Sequence, residues 1–337
     1  MSNFANGFIL QSYATILFMN QEKTNSMIAF GPVPSRRLGK SLGINNIPPK
    51  ACTYSCVYCQ LGRTIALQTK RRAFYAPKAI LKAVEKKIEN ASHCKETIDC
   101  LTFVPDGEPT LDIHLEEEIE SLQPLGIKVA VITNGSLIWR EDVRAALMKA
   151  DWVSLKIDSL SEKVWRKINR PHGILKLSEI LKGMIAFARK YTGELVTETM
   201  LLDGFNDGEQ AIGDVADFLA RLNPARAYLS IPHRPPAEKR VHPPGETNVN
   251  RAYHLFSQKL DAVEYLIGYE GNAFAFTGDV EADLLSITSV HPMRKEAVSE
   301  LLRKAKMDWD VVHRLIRHKR IAQMNYKGQT YYMRRLR

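Results

Sequence analysis

Between residues 40 and 235 the apolar positions switch repeatedly between two periods. Short β-branched runs at Ser41–Asn45, Ile98–Val104, Lys128–Ile132, Trp152–Ile157, Leu195–Leu202 and Ala227–Ile231 read as strands. The longer segments between them read as helices: Pro77–Glu89, Leu115–Leu122, Arg140–Lys149, Leu175–Lys190 and Glu209–Leu222. In the first of these, Ile80, Leu81, Val84 and Ile88 recur at three- and four-residue steps, and Pro77 sits in the first turn, where proline is tolerated. Such alternation implies a parallel sheet with right-handed crossovers. Six units are too few for a closed eight-fold barrel. The pattern therefore predicts an α/β fold, an open partial (β/α)6 barrel whose chemistry sits at the C-terminal ends of its strands.

The remaining chain changes character. Residues 232–249 are rich in Pro and polar side chains and read as a long connection, a candidate lid over the barrel mouth. Asn250–Ile267 reads as a helix. Pro292–Lys304 and Trp309–His318 read as two more, followed by strands at Ile321–Tyr326 and Gln329–Arg335 joined at Lys327–Gly328. Two helices and a hairpin make a small winged-helix-like α+β module. The expected organisation is an N-terminal extension at 1–27, the barrel at 28–235, a barrel-capping connection and helix at 236–290, and the terminal module at 291–337. Met27 opens a segment that looks like a natural start.

Composition is that of an ordinary globular chain, with 45% apolar and 25% charged residues, which excludes disorder, collagen-like repeats and coiled coil. The charge of +10 alters the picture because of where it lies. Residues 291–337 hold 13 Lys and Arg against 4 Asp and Glu, while the first 290 residues are close to neutral. A cationic module at one end points to a polyanion partner, with a merely solvated surface as the bland alternative. Arg314, Arg317, Lys319, Arg320, Lys327, Arg334, Arg335 and Arg337 are interleaved there with Tyr326, Tyr331 and Tyr332, a mixture suited to phosphates and stacked bases. The apolar run at residues 4–19 is interrupted by Asn6, Gly7, Gln11 and Ser12 and is too short to span a bilayer, so neither signal peptide nor membrane span is expected. Five cysteines, an odd number in a large chain, argue against a disulfide framework and for the cytoplasm.

Three of those cysteines, Cys52, Cys56 and Cys59, are spaced C-x3-C-x2-C just after the first expected strand. Three thiolates in so short a loop can converge on one metal centre. Zinc normally takes four ligands, and the nearest candidates for a fourth, His93 and Cys94, lie beyond the first helix. Three ligands suit a [4Fe-4S] cube with one iron left open. Inert buried thiols or a zinc knuckle are the plainer readings. Further polar groups stand at the strand ends: Asp106-Gly107-Glu108-Pro109-Thr110, Thr133-Asn134-Gly135, then Lys156, Asp158 and Ser159. Gly107 permits close backbone approach, and Pro109 biases Glu108 toward an extended conformation that presents its carbonyl or side chain outward. Arg36 and Arg37, ahead of the first strand, suit a phosphate or carboxylate clamp, or simply cap the barrel's bottom.

The cysteine spacing, with Tyr58 before the last thiol, resembles the radical S-adenosylmethionine (SAM) superfamily. Together with GPVPSRRLG at 31–39 it looks like the branch that includes the tRNA wyosine-base synthases and uncharacterised Fe-S oxidoreductases. The resemblance implies a radical SAM barrel with a [4Fe-4S] cluster on Cys52, Cys56 and Cys59 and SAM chelating the open iron. Electron transfer into the sulfonium would yield a 5′-deoxyadenosyl radical that abstracts hydrogen from substrate. It also implies that Tyr58, Gly107, Glu108, Pro109, Thr133, Asn134, Lys156 and Asp158 bind SAM, that backbone at Asp203–Asn206 and Ile231–Pro232 meets adenine, and that a flavodoxin- or ferredoxin-like donor supplies electrons. Wyosine-forming enzymes carry further cysteines upstream, and here none precedes Cys52, so a second cluster is not expected. RNA, tRNA in particular, is the favoured substrate class. A peptide- or protein-modifying enzyme and a non-catalytic nucleic-acid-binding metalloprotein are the competing readings.

Overall fold

A computed structural model describes residues 28–335, so the extension expected at 1–27 and the last cation, Arg337, lie outside the described residues. Two antiparallel strands come first, β1 (Ala29–Ser35) and β2 (Gly39–Ile44). The cysteine segment begins on a short strand, β3 (Ala51–Cys52), paired in parallel with β4 (Ala66–Leu67). Then come α1 (Pro77–His93), β5 (Cys100–Phe103), α2 (Leu115–Leu122), β6 (Lys128–Thr133), α3 (Glu141–Leu147) and β7 (Trp152–Lys156). Two helices, α4 (Glu162–Ile168) and α5 (Leu177–Ala188), lead to β8 (Glu194–Met200), α6 (Glu209–Leu222) and β9 (Arg226–Ser230). The barrel ends with α7 (Glu246–Ser257) and β10 (Val263–Leu266).

All six expected strands form, in the order β2-β5-β6-β7-β8-β9, with every neighbouring pair parallel. The sheet is wider than six. It gains β1 at one edge and β10 at the other, making eight strands curled into a partial barrel. β1 lies in the segment ahead of the first expected strand and contains Pro32 and Pro34. Prolines are accommodated at a sheet edge, where the missing N–H breaks no ladder. The helix expected over 250–267 is corrected too: it stops at Ser257, and Val263–Leu266 runs parallel to β9 as a strand.

The main core lies between the outer face of this sheet and its helices, filled by residues such as Leu42, Leu101, Val131, Val153, Ile180 and Leu219. A smaller cluster on the other face joins Leu38 to Cys100, Ala130, Trp152, Val196, Tyr228 and Leu266. Most of these stand near the starts of their strands, so the β1–β2 turn closes that end of the sheet. The opposite end is left for chemistry.

The terminal module contains α8 (Val280–Val290), β11 (Met293–Arg294), α9 (Lys295–Ala305), α10 (Asp310–Arg317), β12 (Ile321–Tyr326) and β13 (Gln329–Arg334). Its sheet order is β11-β13-β12. Helix–strand–helix–helix–hairpin is a complete winged-helix order, one helix and one strand more than the pattern had indicated. The boundary drawn at 291 falls inside the module's core, where Phe274, Leu284 and Ile287 pack with Val298, Leu302, Leu315 and Tyr332. Residues 236–290 are therefore not one capping unit. Their first part completes the barrel and their last part belongs to the module. Lys327 and Gly328 both adopt positive φ, 48° and 73°, as a two-residue hairpin turn requires. Among the described residues no helix is long and apolar enough to cross a membrane.

Candidate active site

The cysteine loop is pinned from several sides. Gly107 forms a bridge with Ala51, and Glu108 N donates to the Ala51 carbonyl at 3.1 Å. A Cβ at Gly107 would stand 1.9 Å from that carbonyl oxygen, so only glycine allows the β5 loop to lie against the residue before Cys52. On the other flank Val57 N donates to Ile168 O (2.9 Å), and Ser55 N to Asn169 O (3.0 Å). The loop is thus strung between the ends of β5 and α4.

Cys52, Cys56 and Cys59 are half-buried free thiols. Asn134 Nδ2 donates to Cys52 Sγ at 3.6 Å and to Thr53 Oγ1 at 2.8 Å. Asn169 Nδ2 donates to Cys56 Sγ at 3.5 Å. Burial, and then the neighbouring acidic groups, push the Cys52 thiol well above its ordinary range. Burial likewise raises Cys56 to about 12 and raises Cys59, with Lys50 opposing the latter shift. Thiols so placed stay protonated near neutrality, so a metal that takes them displaces protons.

Behind the loop a chain of alternating charge runs down the sheet. Tyr58 OH and Asn169 Nδ2 both donate to Asp158 Oδ2. Lys156 Nζ lies 3.8 Å from Asp158 Oδ1, 2.8 Å from Glu198 Oε1 and 5.1 Å from the Tyr58 ring centre. Glu198 Oε2 is 2.8 Å from Arg37 Nη1, and the Arg37 guanidinium lies 5.8 Å from both the Trp152 and Tyr228 rings. Burial alone would raise Glu198, but Lys156 and Arg37 hold it well below the usual carboxylate range. On the remaining side, Lys50 Nζ lies 3.3 Å from Asp106 Oδ1, both almost fully buried. Burial raises Asp106 to about 6 against the pull of Lys50.

A model of the Radical SAM superfamily matches residues 46–219, just over half the chain and the stretch that holds all of these groups except Arg37 and Tyr228. The chain belongs to the radical SAM superfamily. It is also 50% identical to UPF0026 protein MJ1312 of Methanocaldococcus jannaschii over 311 residues, covering 92% of this chain and 96% of that one. The fold resembles the solved structure of TYW1 with a lysine-pyruvate adduct bound (15% identity, TM-score 0.50, 65% of this chain and 74% of that). It also resembles Streptococcus suis SuiB bound to precursor peptide SuiA (14% identity, TM-score 0.51, 74% of this chain and 52% of that).

A radical SAM enzyme uses a [4Fe-4S] cluster and SAM, and the donor set fits them. Among the described residues no group of three His, Cys, Asp or Glu is arranged to hold a single metal ion. One tetrahedral zinc would need its sulfurs about 3.8 Å apart, given bonds of about 2.3 Å. A cube that offers each thiolate its own iron does not need that closeness. When bound, cluster and SAM supply one-electron cleavage of the sulfonium to a 5′-deoxyadenosyl radical. The asparagine amides orient Cys52 and Cys56, and Lys50 offsets the negative charge gathered near Cys59.

Several of the residues expected to bind SAM also make contacts within the chain. Glu108 is extended as expected (φ −117°), but its carboxylate is turned inward rather than outward. It accepts from Thr110 N and Oγ1, from Thr133 Oγ1 at 2.5 Å and from Asn134 N at 2.8 Å. Thr133 is buried with it, so this pair ties β6 to the β5 loop. Pro109 starts the short 3-10 turn Pro109–Leu111 that closes this latch. Lys156 is already paired, and Asn206 spans Asp158 O, Met200 O and Leu202 N as a structural clamp. Pro232 O accepts from Tyr326 OH, which brings the end of β9 against the terminal module. Arg37 caps the bottom of the barrel, and Arg36 Nη2 bonds Leu266 O, so neither forms an open anion clamp. Cys100 is buried, and Cys94 at the end of α1 is half-buried like the three loop cysteines.

Asn169, Glu198 and Lys50 were missed. Glu198 left a signal, a lone acid in the strand sequence LVTETM; Asn169 and Lys50 left none.

Proposed function

We propose that this radical SAM enzyme modifies RNA, with tRNA as the favoured substrate, in the cytoplasm and with electrons from a flavodoxin- or ferredoxin-like donor. The observation that carries the reading is the placement of the basic module at the barrel mouth. Gln60, next to Cys59, donates from Nε2 to Val290 O at the end of α8 (3.2 Å). Tyr326 and Tyr331 donate to Pro232 O and His233 O in the loop after β9, each at 3.2 Å. Lys327 at the hairpin tip follows Tyr326 directly, so a polyanion held at that tip would lie at the barrel mouth, with Arg317, Lys319 and Arg335 at the far end of the hairpin. Arg317, Lys319, Lys327 and Arg335 remain exposed to meet phosphates. The tyrosines do not serve as stacking platforms as first expected. Tyr331 and Tyr332 are buried, and Tyr326 is spent on docking. The wyosine-synthase resemblance supports the same substrate class.

Two measurements test this. Anaerobically purified protein with SAM and a reductant should release 5′-deoxyadenosine, and Cys56→Ala should abolish the release. Nucleosides from the tRNA of cells with and without the gene should differ in at least one modified base. Identical nucleoside profiles alongside intact SAM cleavage would retire the RNA reading and favour a peptide substrate.

A further inference from the structure

A cleft of about 490 Å³ opens between α4, the loop after β8 and the connection after β9. Its walls carry Arg166, Lys167, Arg170 and Arg240, completed by Gly204 and the Phe205 ring, and no acidic side chain lines it. Arg166 pairs with Glu162 and Arg170 with Glu238, each at 2.7 Å. Lys167 and Arg240 form no ion pair among the described residues, and the Arg240 guanidinium lies 5.9 Å from the centre of the Phe205 ring. Phe205 also packs against the apolar cluster of Val57, Ile168, Leu202 and Val241, which fixes its ring at the cleft, whereas Lys167 and Arg240 are exposed and take no part in that packing. With Arg166 and Arg170 already paired, Lys167 and Arg240 are left as two unpaired cations on one concavity, and an anion seated between them would relieve their repulsion.

We infer that this cleft binds a nucleotide phosphate, with the guanidinium forks on phosphate oxygens and the Phe205 ring beneath the base. The volume suits a single nucleotide unit. Both walls are bonded to the cysteine loop: Ser55 N donates to Arg170 O at 3.2 Å, and Glu238 N donates to Val57 O at 3.0 Å. A nucleotide seated there is one chain thickness from Cys56. The inference rests on the RNA reading only for the source of that nucleotide, since a free nucleotide and one unit of a strand present the same groups.

The test is calorimetric titration of the full-length protein with adenosine monophosphate, adenosine and a short single-stranded RNA. Wild type is compared with the double variant Lys167→Glu, Arg240→Glu, whose exposed positions leave folding intact, checked by thermal melting. Adenosine monophosphate should bind and adenosine should not, and the double variant should weaken binding at least tenfold at unchanged Tm. Competition by the RNA makes the ligand part of a strand. Failure of the RNA to compete leaves the cleft a site for free nucleotide and counts only against the RNA reading. Equal affinity in wild type and variant, or no binding of adenosine monophosphate, overturns the inference. Binding of an acidic flavodoxin in its place, lost in the variant, would make the cleft the electron donor's docking face.

Discussion

Gly107 decides how closely the β5 loop lies against the cysteine segment. The 1.9 Å separation from the Ala51 oxygen leaves no room for a methyl group, and the obstacle is backbone, which cannot swing aside. Gly107→Ala is expected to push Ala51 and Cys52 away from the loop. Iron per chain after anaerobic purification should fall severalfold, and stability should drop by about 1–3 kcal/mol, as overpacking commonly costs. Wild-type iron content with a wild-type melting curve would refute the steric account. At this scale the three cysteines were legible because their spacing is local. The Lys156–Glu198–Arg37 chain was not, since Arg37 and Glu198 meet across 161 residues. Glu108 was visible, but its inward turn depends on Thr133 and Asn134, which another strand delivers.

Helix α2 shows how an element can carry a charge on its buried face. Its sequence LEEEIESL places Glu118 among Leu115, Ile119 and Leu122 at helical steps, and all four are fully buried. Asn46 Nδ2 donates to Glu118 Oε2 at 2.9 Å, while Oε1 has no partner. Burial, followed by the nearby Asp112, raises Glu118 to about 9. An unfolded glutamate titrates near 4.3, so between those values the unfolded chain loses a proton that the folded chain keeps. Stability therefore falls as pH rises from about 4 toward 9. Glu118→Gln removes the ionisation, so its stability relative to wild type should grow with pH across that window, by at most about 1.4 kcal/mol per pH unit. Melting curves from pH 5 to 9 that stay parallel for the two proteins would contradict this. Glu118 stands three residues after Leu115 and four before Leu122, but its buried pairing with Asn46 and its nearness to Asp112 come from other segments and leave no local signal. The two edge strands were hard to read as well. Prolines masked β1, and in 250–267 the break between α7 and β10 is too short to interrupt an apparent helical pattern.

Across the whole molecule, the charge imbalance of residues 291–337 was visible in composition, but its disposition depends on tertiary contacts. Arg314 and Arg320 both pair with Glu281 of α8, at 2.9 and 2.8 Å, and so are partly neutralised. Arg317 at the end of α10 and Lys319 in the turn after it stay exposed, and Arg335 lies next to them through its backbone bond to Arg320 O (2.8 Å). These three form one cationic face carried by the docked module. If that face holds RNA, each contact releases roughly 0.7–0.9 counterion, so the logarithm of affinity should fall steeply with the logarithm of salt. The triple variant Arg317→Gln, Lys319→Gln, Arg335→Gln should bind tRNA more weakly and shallow that slope by about 2 to 3. Filter binding over about 50 to 200 mM salt reads both quantities. Because none of the three residues touches the cysteine loop, 5′-deoxyadenosine release without RNA should be unchanged. Parallel salt slopes for variant and wild type would mean that the face is solvated and that RNA, if bound, is held elsewhere.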